Sequence, residues 1–104
     1  MLNEDQIRII NSALARFDPQ QIGLFGSRVR GDYKKESDLD VLISFRNGKS
    51  PYSLLELLAV ENSLAEVLGY PVEIINEKHI TNKKIREKII EDLQIIYFAP
   101  ENLK

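Results

Sequence analysis

The chain has 104 residues, which fits one domain over positions 1–104 with a two-layer core and leaves little for a second module. Its 43% hydrophobic and 29% charged residues exclude wholesale disorder, while the absence of cysteine and the single histidine, His79, exclude disulfides, thiolate zinc sites and histidine clusters. A formal net charge of −2 offers no general attraction to phosphate backbones, so nucleic acid binding is not expected. Charges at Glu4, Asp5 and Arg8 and the lack of a long apolar run argue against a signal peptide or membrane span and for a cytoplasmic protein.

Ile7, Ile10, Leu14 and Phe17 recur at helical spacing behind Asn3, which with Gln6 forms a version of the capping box. They predict an amphipathic helix that Asp18-Pro19 stops. Gln21 to Phe25 (QIGLF) reads as a short buried strand ending on Gly26, and the polar Ser27 to Lys35 has room for one helical turn before Gly31. From Leu39 to Phe45 the chain alternates, with Leu39, Val41, Ile43 and Phe45 on one face of a strand and Asp40, Leu42 and Ser44 on the other. Asn47-Gly48 marks a turn, and Ser50-Pro51 supplies a cap followed by proline, predicting a long helix over Tyr52 to Leu68. Gly69 ends that helix in a left-handed conformation, and Pro71 to Asn76 (PVEIIN) reads as a third strand. A further helix begins near Asn82, with Ile85, Ile89 and Leu93 as its apolar stripe, and Ile95 to Phe98 closes the domain as a short edge strand. This alternation predicts an α/β (α+β) domain, a small sheet with helices packed on it.

Asp38 and Asp40 are two apart at the beginning of a strand, so their side chains leave one face with Cα atoms roughly 6.6 Å apart. Carboxylates so placed suit magnesium, which completes its octahedron with water and phosphate oxygens. A third carboxylate on a neighbouring strand would extend the pair to a two-metal site, and Glu73 is the candidate. Asp-x-Asp by itself is more often a pair of strand-entry or solvated residues, and an EF-hand is a poorer alternative because Leu42 and Ile43 stand where a calcium loop needs its next ligand and its glycine. The added weight comes from Gly26-Ser27 at the end of the first strand. Glycine followed by a helical turn lets backbone N–H groups approach a phosphate, and Ser27 adds a hydroxyl. Arg28 and Arg30 bring guanidinium groups suited to a triphosphate; pairing with Asp32 or Glu36 is the plainer reading, most of all for Arg30.

Gly26-Ser27, ten intervening residues and then Asp38-Leu39-Asp40 resemble the signature of the minimal nucleotidyltransferases of the DNA polymerase β superfamily. The whole stretch FGSRVRGDYKKESDLDVLI, Phe25 to Ile43, is similar to that family. The resemblance implies a polymerase β-like fold with a small mixed β-sheet, and ATP as nucleotide donor with Mg2+. It implies that Gly26, Ser27 and Arg28 serve the nucleotide, that Asp38 and Asp40 bind metal, and that Glu73 takes the place of the third metal-binding and catalytic carboxylate, where aspartate is the commoner residue. Small members of this family are commonly prokaryotic antitoxins that transfer AMP to a tyrosine of a HEPN-family ribonuclease toxin. A protein adenylyltransferase antitoxin is therefore the first functional expectation. A non-catalytic antitoxin that masks its toxin, and transfer to a small molecule or RNA, are the alternatives.

Other motifs carry less. Gly48-Lys49-Ser50 copies the end of a P-loop, but Ile43 stands where the loop needs its first glycine. Arg30-Gly31-Asp32 means little without a secretory signal, and His79 has no partner ligand. Lys78, Lys83, Lys84, Arg86 and Lys88 alternate with Glu87, Glu91 and Asp92 as on a solvated helix face. Leu54, Leu55, Leu57, Leu58, Leu64 and Leu68 are too many for a narrow stripe; core packing is the expected account, a docking face the sharper one.

Overall fold

A computed structural model of the chain describes residues 2–47 and 49–100. Helix α1 (Glu4–Leu14) starts at the expected capping box: Gln6 N–H donates to Asn3 Oδ1 at 2.8 Å, and Asn3 N–H to Gln6 Oε1 at 3.0 Å. The predicted continuation to Phe17 tightens into a 3-10 turn over Ala15–Phe17, and Asp18 reverses the chain at φ 52. Strand β1 (Gln21–Phe25) follows, then the single helical turn α2 (Ser27–Arg30) and strand β2 (Leu39–Ser44).

Helix α3 spans Leu54–Leu68 and begins later than Ser50-Pro51 suggested. Ser53 and Glu56 form a reciprocal capping box, with Glu56 N–H donating to Ser53 Oγ at 3.2 Å and Ser53 N–H to Glu56 Oε1 at 2.9 Å. Two donors satisfied at once outweigh one proline of suitable φ. Tyr52, just outside the helix, packs edge-on against Phe17 and Phe45 with centroids 4.8 and 5.9 Å away. The anticipated Asn47-Gly48 turn includes Gly48, which lies outside the described residues. Gly69 ends α3 at φ 89, a conformation few other residues adopt. Strand β3 (Val72–Asn76), a 3-10 turn at Glu77–His79, helix α4 (Lys83–Asp92) capped by Asn82, and strand β4 (Gln94–Phe98) complete the order.

The sheet runs β3-β2-β1-β4 and is mixed: β1 is antiparallel to β2 and to β4, and β2 is parallel to β3. Alternation then divides its faces. Ile22, Leu24, Leu39, Val41, Ile43, Val72 and Ile74 pack with Ile10 and Leu14 of α1 and Val60 and Leu64 of α3 in the main core. On the other face Phe25 and Leu42 pack with Ile89 of α4 in a smaller cluster. Core packing accounts for only part of α3: Val60 and Leu64 are buried and Leu57 and Leu68 lean on the core, but Leu54, Leu55 and Leu58 face solvent, Leu55 at 79% exposure. A helix resting on one side of a sheet buries one stripe, and leucines outside that stripe stay exposed. Among the described residues no helix is long and apolar enough to cross a membrane.

Candidate active site

The site begins where β1 leaves the sheet. Gly26 turns the chain at φ 90 and ψ −166, a backbone region essentially confined to glycine. A Cβ at this position would overlap Asp40 Oδ2 and lie 3.2 Å from Asp40 Cγ. The missing side chain therefore lets the carboxylate of β2 rest against the backbone that enters α2. The N–H groups of Val29 and Arg30 both donate to the Gly26 carbonyl at 3.0 Å, so the leading N–H groups of the turn, those of Ser27 and Arg28, precede any intrahelical acceptor.

Strand register supplies the second carboxylate. Asp40 stands opposite Phe25 on β1 and opposite Glu73 on β3, so Asp40 and Glu73 emerge side by side on the α4 face. Burial raises the Asp40 carboxyl from an ordinary 3.8 to about 6, with the charges of Glu73 and Asp38 and a proton shared with Glu73 adding to the effect and Arg30 opposing it. Asp38, one residue before β2, lies outside the ladder and is exposed. Among the described residues, no three histidine or acidic side chains are gathered closely enough to hold a metal ion. The three carboxylates read from the sequence thus form a close pair, Asp40 and Glu73, with Asp38 beside them; only residues inside the parallel ladder are held in register. A cavity of about 660 Å³, of a size common for small-molecule sites, opens over Gly26, Ser27 and Asp40 and does not include Asp38 or Glu73 in its lining.

Comparison with known proteins gives the chain its family. The pattern of the nucleotidyltransferase domain family matches residues 7–96. The chain belongs to that family. A Methanocaldococcus jannaschii relative, provisionally named a protein adenylyltransferase, is 37% identical over 78 residues, 75% of this chain and 76% of its own. Among solved structures, a chain of a toxin–antitoxin complex with AMP-PNP matches with a TM-score of 0.72 at 19% identity, over 94% of this chain and 75% of that one. A chain from the complex of a tri-AMPylated Shewanella oneidensis HEPN toxin with its MNT antitoxin matches at 0.69 and 14% identity, over 94% and 74%. At those identities the structural likeness is one of fold.

In this nucleotidyltransferase Arg30 makes the expected pairing with Asp32, with Asp92 added, and Arg28 lies away from the cavity. Arg28, anticipated at the phosphates, is 8% exposed and absent from the cavity lining. Its Nε donates to the Ser37 carbonyl at 2.8 Å and its Nη2 to the carbonyls of Lys35 and Lys34 at 3.0 and 3.4 Å. The guanidinium lies over the Tyr70 ring, 3.7 Å from its centroid, and 4.6 Å from that of Tyr33. Arg28 fastens the segment that leads into Asp38. The reason is helical phase: Ser27 and Arg30, three apart, share the cavity face of α2, and Arg28 is turned about 100° from Ser27. Arg30 lines the cavity, bonded to Asp92 Oδ2 at 2.7 Å and close to Asp32.

Helix α4 forms the opposite wall with Ile85, Lys88, Ile89, Glu91 and Asp92. All but Glu91 fall at i, i+3, i+4 and i+7, a helical stripe that Glu91 flanks. Periodicity locates Ile85 and Ile89; Lys88 is exposed, as the solvated face implied, and it and the half-buried Asp92 also line the cavity, which their spacing from the two isoleucines signals. His79 is exposed in its 3-10 turn, as its loop setting implied.

Proposed function

We propose that this nucleotidyltransferase is a magnesium-dependent antitoxin that transfers AMP from ATP to a tyrosine hydroxyl of a HEPN-family partner toxin. The observation that carries the reading is Asp40, laid against the Gly26 backbone at a nucleotide-sized cavity and paired in register with Glu73. The relative named for protein adenylylation and the solved pairing of an AMPylated HEPN toxin with its antitoxin support the choice of acceptor.

Ser27 and the N–H groups at the start of α2 receive the triphosphate. The acceptor hydroxyl oxygen bonds to the α-phosphorus, the bond from that phosphorus to the α–β bridging oxygen breaks, and diphosphate leaves with the electron pair. The hydroxyl proton passes to a carboxylate, for which Glu73 is available beside Asp40. Magnesium, when bound, neutralises the triphosphate and acidifies the acceptor hydroxyl. The residues fit it: they are hard oxygen donors, and Asp40, whose carboxyl is raised first by burial and then by the charges of Glu73 and Asp38, is a group whose ionised form a divalent cation favours. Asp40 and Glu73, side by side in the ladder, would hold the ion with water and phosphate oxygens completing its octahedron, and Asp38 is the further carboxylate expected to join them.

The test incubates the chain with ATP, magnesium and the toxin encoded beside it, followed by intact-mass measurement and peptide mapping. AMP adducts on a tyrosine are expected; absence of adducts although the two proteins bind would sink the proposal. The exposed Leu54, Leu55 and Leu58 favour a second reading, in which binding alone silences the toxin. Asp38→Ala with Asp40→Ala separates the two, since undiminished protection of cells by the double variant means masking.

A further inference from the structure

We infer that Lys88 is a nucleotide-binding residue, its ammonium meeting the phosphates of the donor nucleotide from the α4 side. The inference rests on the reading above, in which the cavity takes a nucleoside triphosphate. Three observations lead to it.

First, Lys88 belongs to the stripe of α4 that faces the site. It stands between Ile85 and Ile89 and lines the same cavity as Gly26, Ser27 and Asp40. Ile89 is buried beneath it, while Ile85 and Lys88 are exposed, so the ammonium stands at the open side of the cavity, where an anion enters. Second, the other cation of the cavity is already engaged. Arg30 is bonded to Asp92 at 2.7 Å and stands 3.3 Å from Asp32, so its charge is offset by carboxylates. Third, Lys88 makes no ion pair with any described carboxylate, although Glu91, three residues on, also lines the cavity. With Arg30 paired to Asp92 and Asp32, Lys88 is the cation of this cavity left for an anion entering between α2 and α4.

A flexible ammonium suits this task, since it meets phosphate oxygens as a point charge without the fixed geometry of a guanidinium fork. Lys88 thus completes on α4 what Gly26 and Ser27 begin on α2, and the triphosphate lies between the two helices.

The experiment measures binding, so it does not depend on turnover. MgATP affinity is determined by calorimetry for the parent, Lys88→Met, Lys88→Arg and, as a control outside the cavity, Lys83→Met. Adenosine, which lacks phosphates, is followed by ligand-detected NMR. Loss of a charged phosphate contact predicts MgATP binding weakened about tenfold or more in Lys88→Met, adenosine binding within about twofold of the parent, substantial recovery in Lys88→Arg and no change in Lys83→Met. Thermal melting checks that each variant is folded. MgATP binding by Lys88→Met equal to that of the parent overturns the inference and leaves the transfer reading standing. Equal weakening of adenosine also overturns it, since the residue would then shape the cavity and not serve phosphate. A parent chain that binds no MgATP overturns both.

Discussion

Replacing Arg28 by methionine separates a structural clamp from a phosphate ligand. The change keeps an unbranched apolar stem against Tyr70 and removes the guanidinium with its donors. Two of its hydrogen bonds, to Ser37 at 2.8 Å and to Lys35 at 3.0 Å, are well formed, and each such bond from a charged donor contributes about 1.5–3 kcal/mol. The third, to Lys34 at 3.4 Å, is weak; the stack over Tyr70 at 3.7 Å adds about 1 kcal/mol. Lys34 and Lys35 are exposed, so water reaches their freed carbonyls and lowers the cost. The balance is about 3 kcal/mol of lost stability. With a denaturant dependence of about 1.5 kcal/mol per molar urea, the unfolding midpoint falls by about 2 M. Urea unfolding followed by circular dichroism, alongside MgATP calorimetry at low denaturant, measures both quantities. A midpoint within about 0.5 M of the parent, combined with a tenfold loss of MgATP affinity, would refute the clamp and return Arg28 to the phosphates.

Three further outcomes follow from the same geometry. Gly26→Ala imposes a Cβ on the Asp40 carboxylate and a strained φ of 90, so it should cost about 1–3 kcal/mol in thermal or urea unfolding and abolish AMP transfer; a variant with parental stability and transfer contradicts the cradle. Because the folded-state Asp40 carboxyl lies at about 6 against an ordinary 3.8, the folded chain holds that proton more tightly, and the stability it confers is full below pH 3.8 and lost as pH rises through about 6. Solvent at the half-buried group limits the loss to about 1–2 kcal/mol, and metal-free Asp40→Asn should flatten the dependence between those pH values while losing transfer. Leu55→Ser, at 79% exposure, should change stability by less than about 0.5 kcal/mol, whereas Leu64→Ala, at 2%, should cost about 2–5 kcal/mol; a large loss at Leu55 would place it in the core.

Much of the protein was legible along the chain because the interactions responsible act within a few residues. The capping box at Asn3, the 3.6-residue stripe of α1, the alternation of β2 and the left-handed stop at Gly69 are local, and the Gly26-Ser27 to Asp38 and Asp40 motif needs only spacing. Ser50-Pro51 misled because two caps competed over four positions, and the reciprocal pair at Ser53 and Glu56 satisfied more donors. What the tertiary structure alone decided depends on contacts between distant segments. Parallel pairing of β2 with β3 set Glu73 beside Asp40 and left Asp38 outside the ladder. The phase of one helical turn sent Arg28 under the loop and Arg30 into the cavity. The docking of α4 turned Lys88 toward the site, and the seating of α3 on the sheet chose which leucines reach water. Spacing along a sequence says which side chains share a face; only register and helix phase, held by residues far away in the chain, say what that face meets.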